Sequence, residues 1–389
     1  MPFYHQLGRL PAKRHVAFRQ ENGTLHYEQL MGNLGFTGLQ SLLYTLRRPT
    51  AVKSVEVAWT AARQPEPGPR WQMRHLRTHR LPTTGDSAVK DRVPLLFNRD
   101  VALSLTRPRR ADPYFYRNGG ADEIVFVTEG GGVLESQFGS LAYCQGDYLV
   151  IPRGIIHRLV PAPGDQIYLV IESRGHVRTP RRYRNEHGQL LEHSPFCERD
   201  IRPPADLMVH DESGEFEVIT RIQDVCHRVI MDHHPFDTVG WDGYYFPWAL
   251  SIHDFEPIVG SLHQPPPVHQ TFEGDGFVVC SFVPRLYDFH PEAVPAPYNH
   301  SNVMTDEVLY YCREEFMSRK GIELGSVTLH PDGMPHGPQP GRAEASIGVQ
   351  KTDELAVMLD TFNRLEVAAN ALPCEDPDYA ASWLEGPQG

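Results

Sequence analysis

Residues 300–307, HSNVMTDE, crowd a histidine, an asparagine and two adjacent acids into eight positions just ahead of the apolar run VLYY (308–311). Imidazole nitrogens and carboxylate oxygens are ligands for divalent first-row metals. The same letters would also make an ordinary solvated turn leading into a strand. The stretch alone does not choose between these readings.

A self-comparison of the chain narrows the choice. The segment GDYLVIPRGIIH (146–157) aligns with GSVTLHPDGMPH (325–336): both spell Gly, five residues, Pro, one residue, Gly, two residues, His. Upstream, YRNGGADEIVFV (116–127) aligns with HSNVMTDEVLYY (300–311), matching Asn118 with Asn302, Asp122 with Asp306 and Glu123 with Glu307. Two blocks recurring in the same order point to an internal duplication. In each copy an acid opens one strand and a glycine turn opens another. A Pro-x-Gly turn then aims a histidine back towards the first strand, since proline presets φ and glycine accepts positive φ.

The elements that must position these residues are short. SVEVAWT (54–60), EIVFVTE (123–129), GDYLVIP (146–152), QIYLVIE (166–172), GFVVCSFVP (276–284), EVLYYCR (307–313), GSVTLH (325–330) and ELAVMLD (354–360) are β-branched or aromatic and bounded by Gly, Pro or Asp. That pattern predicts an all-β sandwich or barrel. With 34 Pro and 32 Gly breaking the chain, helix is expected only in the tail DTFNRLEVAANAL (360–372) and, more weakly, in YEQLMG (27–32).

At 389 residues two domains are expected, 1–250 and 251–389. The net charge of −12 speaks against nucleic acid and anionic membrane surfaces as partners. Six cysteines without a CxxC read as reduced thiols. With no apolar leader and no run of eighteen apolar residues, a cytoplasmic location is expected.

The two blocks resemble the paired motifs of the cupin superfamily, G-x5-H-x-H-x3–4-E-x6-G and G-x5-P-x-G-x2-H. The second motif fits both halves, and Glu123 and Gly130 keep the E-x6-G spacing of the first. The resemblance implies a bicupin: two double-stranded β-helix (jelly-roll) barrels, with a short C-terminal helix. The first half has Tyr116 where the leading histidine belongs, so it is expected to be metal-free and structural. The second half keeps His300, Glu307 and His336. Two imidazoles and one carboxylate on one side of a metal make the facial triad of non-haem Fe(II) oxygenases, whose open positions take substrate and O₂. Asp306 is the alternative carboxylate, though the repeat favours Glu307. Asn302 holds the second-histidine slot, where an amide is a poor iron ligand, and it is assigned to outer-shell hydrogen bonding with Asp306.

The resemblance narrows further. YHQLGRLPAKRHVAFR and LHYEQLMGNLGFTGLQSLLYTLRRPTAV near the start, FDTVGWDGYYFPW (236–248), PYNHSNVM (297–304) and LHPDGMPHGP (329–338) are similar to the distinctive blocks of the homogentisate 1,2-dioxygenase family. This implies Fe(2+) as cofactor and conversion of homogentisate plus O₂ to maleylacetoacetate in tyrosine and phenylalanine catabolism. It also implies a homo-oligomer, trimer or hexamer. Carried over residue by residue, it implies His300, Glu307 and His336 as iron ligands, His263 as the acid/base (His269 being a competitor), and His330, Phe316 and His336 against the substrate. The carboxylate comes one residue later than in familiar members, and Phe316 stands where the family has a substrate-contacting tyrosine. A related dioxygenase for gentisate or another dihydroxyaryl acid is therefore a rival reading, as is a metal-free bicupin binding module. His233 and His234 neighbour one another, but adjacent strand residues face opposite ways, which speaks against a shared metal.

Overall fold

A computed structural model describes residues 3–82, 85–314 and 316–384. Each alternating run named above forms a strand: Val52–Thr60, Asp122–Glu129, Asp147–Ile151, Ile167–Ser173, Phe277–Phe282, Asp306–Tyr311, Ser326–His330 and Ala356–Thr361. Branched and aromatic side chains suit a pleated, packed surface. Asp147–Ile151 and Asp306–Tyr311 are buried at every residue, as strands covered on both faces must be.

The strands assemble into a seven-stranded and an eight-stranded sheet from mostly the first half, a six-stranded sheet from mostly the second, and a four-stranded sheet that includes the N-terminal strands. The duplication is visible in the register. Asp122–Glu129 lies between Asp147–Ile151 and Ile167–Ser173, with Glu123 opposite Ile151 and Glu172. Asp306–Tyr311 lies between Ser326–His330 and Ala356–Thr361, with Glu307 opposite His330 and Asp360.

The turns repeat as well. Gly154 and Gly333 sit at φ +79° and +70°, where a Cβ would be strained. Their N–H groups donate to the carbonyls of Asn118 (2.7 Å) and Asn302 (2.8 Å). Asp122 accepts from the backbone N–H of Arg153 and Val177, both at 3.0 Å. Asp306 accepts from Asp332 (2.7 Å) and Leu365 (2.6 Å). Each aspartate thus ties together the loops flanking its glutamate.

The halves trade edge strands. Arg74–Arg77 pairs with Ser326–His330, and Glu366–Val367 pairs with Val93–Phe97. One large hydrophobic cluster runs from Leu43 through Phe126 and Tyr148 to Tyr310 and Leu359. Polar contacts cross inside it, Thr128 Oγ1 to the Tyr310 hydroxyl (2.7 Å) and the Tyr148 hydroxyl to Ser281 Oγ (2.8 Å).

Two helix expectations fail. Residues 27–32 are a strand in full register with Gln40–Thr45; six residues cannot repay helix nucleation, and a ladder was available. In the tail, the strand from Ala356 runs to Thr361, Glu366–Val367 is again strand, and Ala369–Cys374 is 3-10 helix containing Pro373. Pairing with the first half overrides the local preference. The α-helix among the described residues is Arg342–Ser346. No described helix is long and apolar enough to cross a membrane.

Candidate metal centre and active site

His300 and His336 lie on separate loops that meet in one antiparallel bridge. Glu307 comes from the second position of its strand. The three side chains converge: Glu307 Oε2 is 3.5 Å from His300 Nε2 and 3.6 Å from His336 Nε2, and all three ligand atoms lie within 4.8 Å of one another. Two ligands each about 2.1 Å from one ion are at most about 4.2 Å apart, so both contacts to Glu307 suit a shared ion.

The tautomers suit it too. His300 Nδ1 donates to the Tyr298 carbonyl (3.1 Å), and His336 Nδ1 to the Met334 carbonyl (2.8 Å). This leaves each Nε2 with a lone pair directed at the cluster. His336 Nε2 is buried with no hydrogen-bond partner, and a buried imidazole nitrogen is costly to leave unsatisfied. A divalent ion fits the donor set.

His330 is fully buried, its Nδ1 2.9 Å from Glu307 Oε1 and its Nε2 3.3 Å from the Tyr379 hydroxyl. Burial, with the Arg319 charge, pushes its pKa down to about 4. The ring is neutral at pH 7, donates to the carboxylate and accepts from Tyr379. Burial opposes charge on Glu307, but the three surrounding histidines hold its carboxyl well below the ordinary range. His330, expected against the substrate, is bonded to Glu307 and Tyr379 and is not among the residues that line the cavity beside the cluster. His336 is likewise absent from the residues lining the cavity.

A cavity of about 440 Å³ opens beside the cluster, lined by His300, Glu307, Phe316, Arg319 and Asp360 among others. Phe316 packs edge-on against Tyr311 at 5.0 Å and brings no hydroxyl. His263 and His269 also line it. His263 is half-exposed, with Nδ1 3.4 Å from Asp288 Oδ2. His269 is buried and held neutral by burial, its pKa lowered to about 3. Asn302 reaches the cavity wall, yet its bond to the Gly333 N–H is made by its carbonyl. Asp306 spends both carboxylate oxygens on backbone N–H groups and is not part of the three-donor cluster. His234 stacks on His210 at 3.8 Å while His233 bonds Asp232, so the neighbouring pair shares nothing.

In the first barrel the same geometry is closed by a cation. Tyr116 and His157 form the equivalent cross-strand pair. Glu123 accepts from both Arg92 Nη1 (2.8 Å) and Nη2 (3.0 Å), and from the Tyr116 hydroxyl and Asn118 Nδ2, each at 3.0 Å. The guanidinium supplies the counter-charge of Glu123.

Sequence reasoning missed Tyr379, Arg319 and Asp360. Asp360 ends a recognised strand, and its register opposite Glu307 is the signal that could have found it. Burial and the Glu307 charge raise its carboxyl well above the usual range, and its Oδ1 has no partner among the described residues. Tyr379 and Arg319 sit in irregular segments that carry no such signal.

Barrel topology, a duplicated motif and a one-sided His-Glu-His cluster define a cupin of the dioxygenase class. Residues 102–252 match the family model for the homogentisate 1,2-dioxygenase N-terminal region. The chain is 41% identical over 390 residues to the "Putative dioxygenase SSO1533" of Saccharolobus solfataricus, across 98% of this chain and 99% of that one. It is 27% identical to the homogentisate 1,2-dioxygenase of Bradyrhizobium diazoefficiens, across 70% of this chain and 63% of that enzyme. A cupin 2 conserved barrel domain protein from Leptotrichia buccalis aligns in structure over 74% of this chain and 95% of that one, at 9% identity and a TM-score of 0.33. The chain belongs to the homogentisate 1,2-dioxygenase family of cupins.

Proposed function

We propose that this protein is an Fe(II)-dependent, ring-cleaving dioxygenase of dihydroxyaryl acids, and that homogentisate, cleaved with O₂ to maleylacetoacetate in tyrosine and phenylalanine breakdown, is its substrate. The observation that carries the reading is the buried His336 Nε2, without a hydrogen-bond partner among the described residues, beside Glu307 and His300, which both line the cavity. His300, Glu307 and His336 would hold the ion, which supplies open positions for O₂ and a phenolic oxygen when bound. His330 and Tyr379 fix the orientation of Glu307. His263 is the base for the phenolic proton: it lines the cavity, and Asp288 steadies its ring. Phe316 and the apolar wall around it hold the aromatic face and exclude water. In this reading residues 251–389 carry the chemistry, while residues 1–250 form a metal-free structural barrel. The protein would work in the cytoplasm as a homo-oligomer.

Gentisate is the second substrate to test, because Phe316 removes the hydroxyl with which the family contacts its substrate, and sites built on hydrogen bonds discriminate strongly by them. The deciding measurement is O₂ uptake by anaerobically Fe(II)-loaded protein with homogentisate, gentisate and other dihydroxyaryl acids, with and without chelator. Chelator-sensitive uptake with homogentisate supports the proposal. Uptake with gentisate alone replaces the substrate, and bound iron of less than about one per chain together with no uptake moves the binding-module reading ahead.

A further inference from the structure

Among the described residues Arg74, Arg221 and Arg319 are buried. Arg74 is neutralised by Glu66 and Glu375, and Arg221 by Glu172. Arg319 has no carboxylate within ion-pair distance among the described residues. Its Nη1 donates to the carbonyls of Gly337 (2.8 Å) and Ser318 (3.2 Å) and to Ser318 Oγ (3.2 Å). Its guanidinium lies 5.7 Å over the Trp383 ring. Its Nε is buried with no hydrogen-bond partner among the described residues.

A buried guanidinium without a counter-charge is expensive. Glu307, an acid in electrostatic reach, is turned to the three histidines of the cluster and makes no ion pair with Arg319. The other arginine on the same cavity wall, Arg285, is matched by Glu354 at 2.8 Å. Among the described residues, the cavity wall therefore carries one arginine without an ion-paired carboxylate. Three residues away in the chain is Phe316, whose apolar ring lines the same space.

We infer that Arg319 is the anchor for the carboxylate of the substrate, holding an aryl acid by its acidic end while the ring lies along Phe316 beside His300 and Glu307. This rests on the aryl-acid reading above and adds the residue that selects the acid. A planar fork of donors matches a carboxylate better than a point charge does. It also explains how a site lacking a tyrosine hydroxyl at 316 can still hold an acid.

The test is anaerobic titration calorimetry of the Fe(II)-loaded full chain with homogentisate and with its neutral counterpart, 2,5-dihydroxyphenylethanol. The wild-type protein should bind the acid at least about 10-fold more tightly; Arg319→Met should weaken the acid by about 30-fold or more and the alcohol by less than about 3-fold. Arg319→Lys, which keeps the charge, should fall between for the acid and leave the alcohol unchanged. Equal affinity for the two ligands in the wild-type protein overturns the inference. So does an equal loss on both in Arg319→Met, which would make Arg319 only a prop for the Gly337 turn. Should Arg319→Met not fold by circular dichroism, the wild-type and Arg319→Lys titrations decide. Arg319-dependent acid binding without O₂ uptake sinks the ring-cleavage reading and supports this one; uptake without that dependence does the reverse.

Discussion

His300 and His336 each donate a backbone N–H to the other's carbonyl, at 2.8 and 2.9 Å. A single bridge between two loops thus sets the separation of two imidazoles that lie 36 positions apart in the numbering. The first barrel keeps the same bridge between Tyr116 and His157. The bridge therefore forms with different side chains at its ends, and side-chain changes at these positions should leave the fold in place.

His336→Ala tests that independence. Iron retention after anaerobic loading should fall by more than the roughly 10–100-fold typical of losing an outer-shell partner. O₂ uptake should disappear, and the thermal midpoint of the metal-free protein should change little. A variant that unfolds would show that the bridge needs the imidazole.

Glu307→Gln and Asp306→Asn should separate two adjacent acids by their different work. The first should lose metal while keeping its fold. The second should retain metal but lose stability by about 1–3 kcal/mol, because an amide cannot accept both the Asp332 and Leu365 N–H groups as a carboxylate does. Metal analysis and denaturant melts on both variants read this directly. The reverse assignment follows if Asp306→Asn is the one that empties.

His330→Phe should weaken iron binding by about 10–100-fold with the cavity unchanged, since the ring positions Glu307 from behind. Tyr379→Phe should have a smaller effect in the same direction. A competition titration against a chelator measures both. No change for His330→Phe would mean that Glu307 is positioned by its strand alone.

The first barrel should dominate a step in acid stability. Burial works against charge on Glu123, but Arg92, His157 and Asn118 overcome it and pull its pKa down to about 2. A carboxyl depressed in the folded state contributes stability above its unfolded pKa and loses it as pH falls. The loss should run from about pH 4.5 towards pH 2. Arg92→Met leaves a buried unpaired carboxylate, costing about 3–5 kcal/mol at pH 7, and the deficit should shrink on acidification as Glu123 takes a proton. Urea melts from pH 3 to pH 8 measure the slope. An Arg92→Met deficit that stays constant with pH would rule out this coupling.

Gly333→Ala isolates the turn. Nothing lies within 4 Å of the Cβ it would add, so the cost is the φ of +70°, about 1–2 kcal/mol in a thermal or urea melt.

Much of this protein was legible in one dimension. The strands were readable because alternation and branching are local, and the duplication because its turn glycines and prolines are forced by backbone sterics. Glu307 could be ranked above Asp306 from the repeat alone, and the register bears out the alignment, with Asp306 turned to backbone N–H groups as Asp122 is. What the sequence could not decide was set by partners far along the chain. Residues 27–32 and 366–367 became strand because ladders were waiting for them. His330 bonds Glu307 because the pairing register sets the two opposite one another, which the order of letters along the chain does not show. Arg92 and Arg319 are alike as letters. Only packing shows that, among the described residues, one guanidinium has a carboxylate within ion-pair distance and the other does not, since charge balance in a buried site is a property of three-dimensional neighbours.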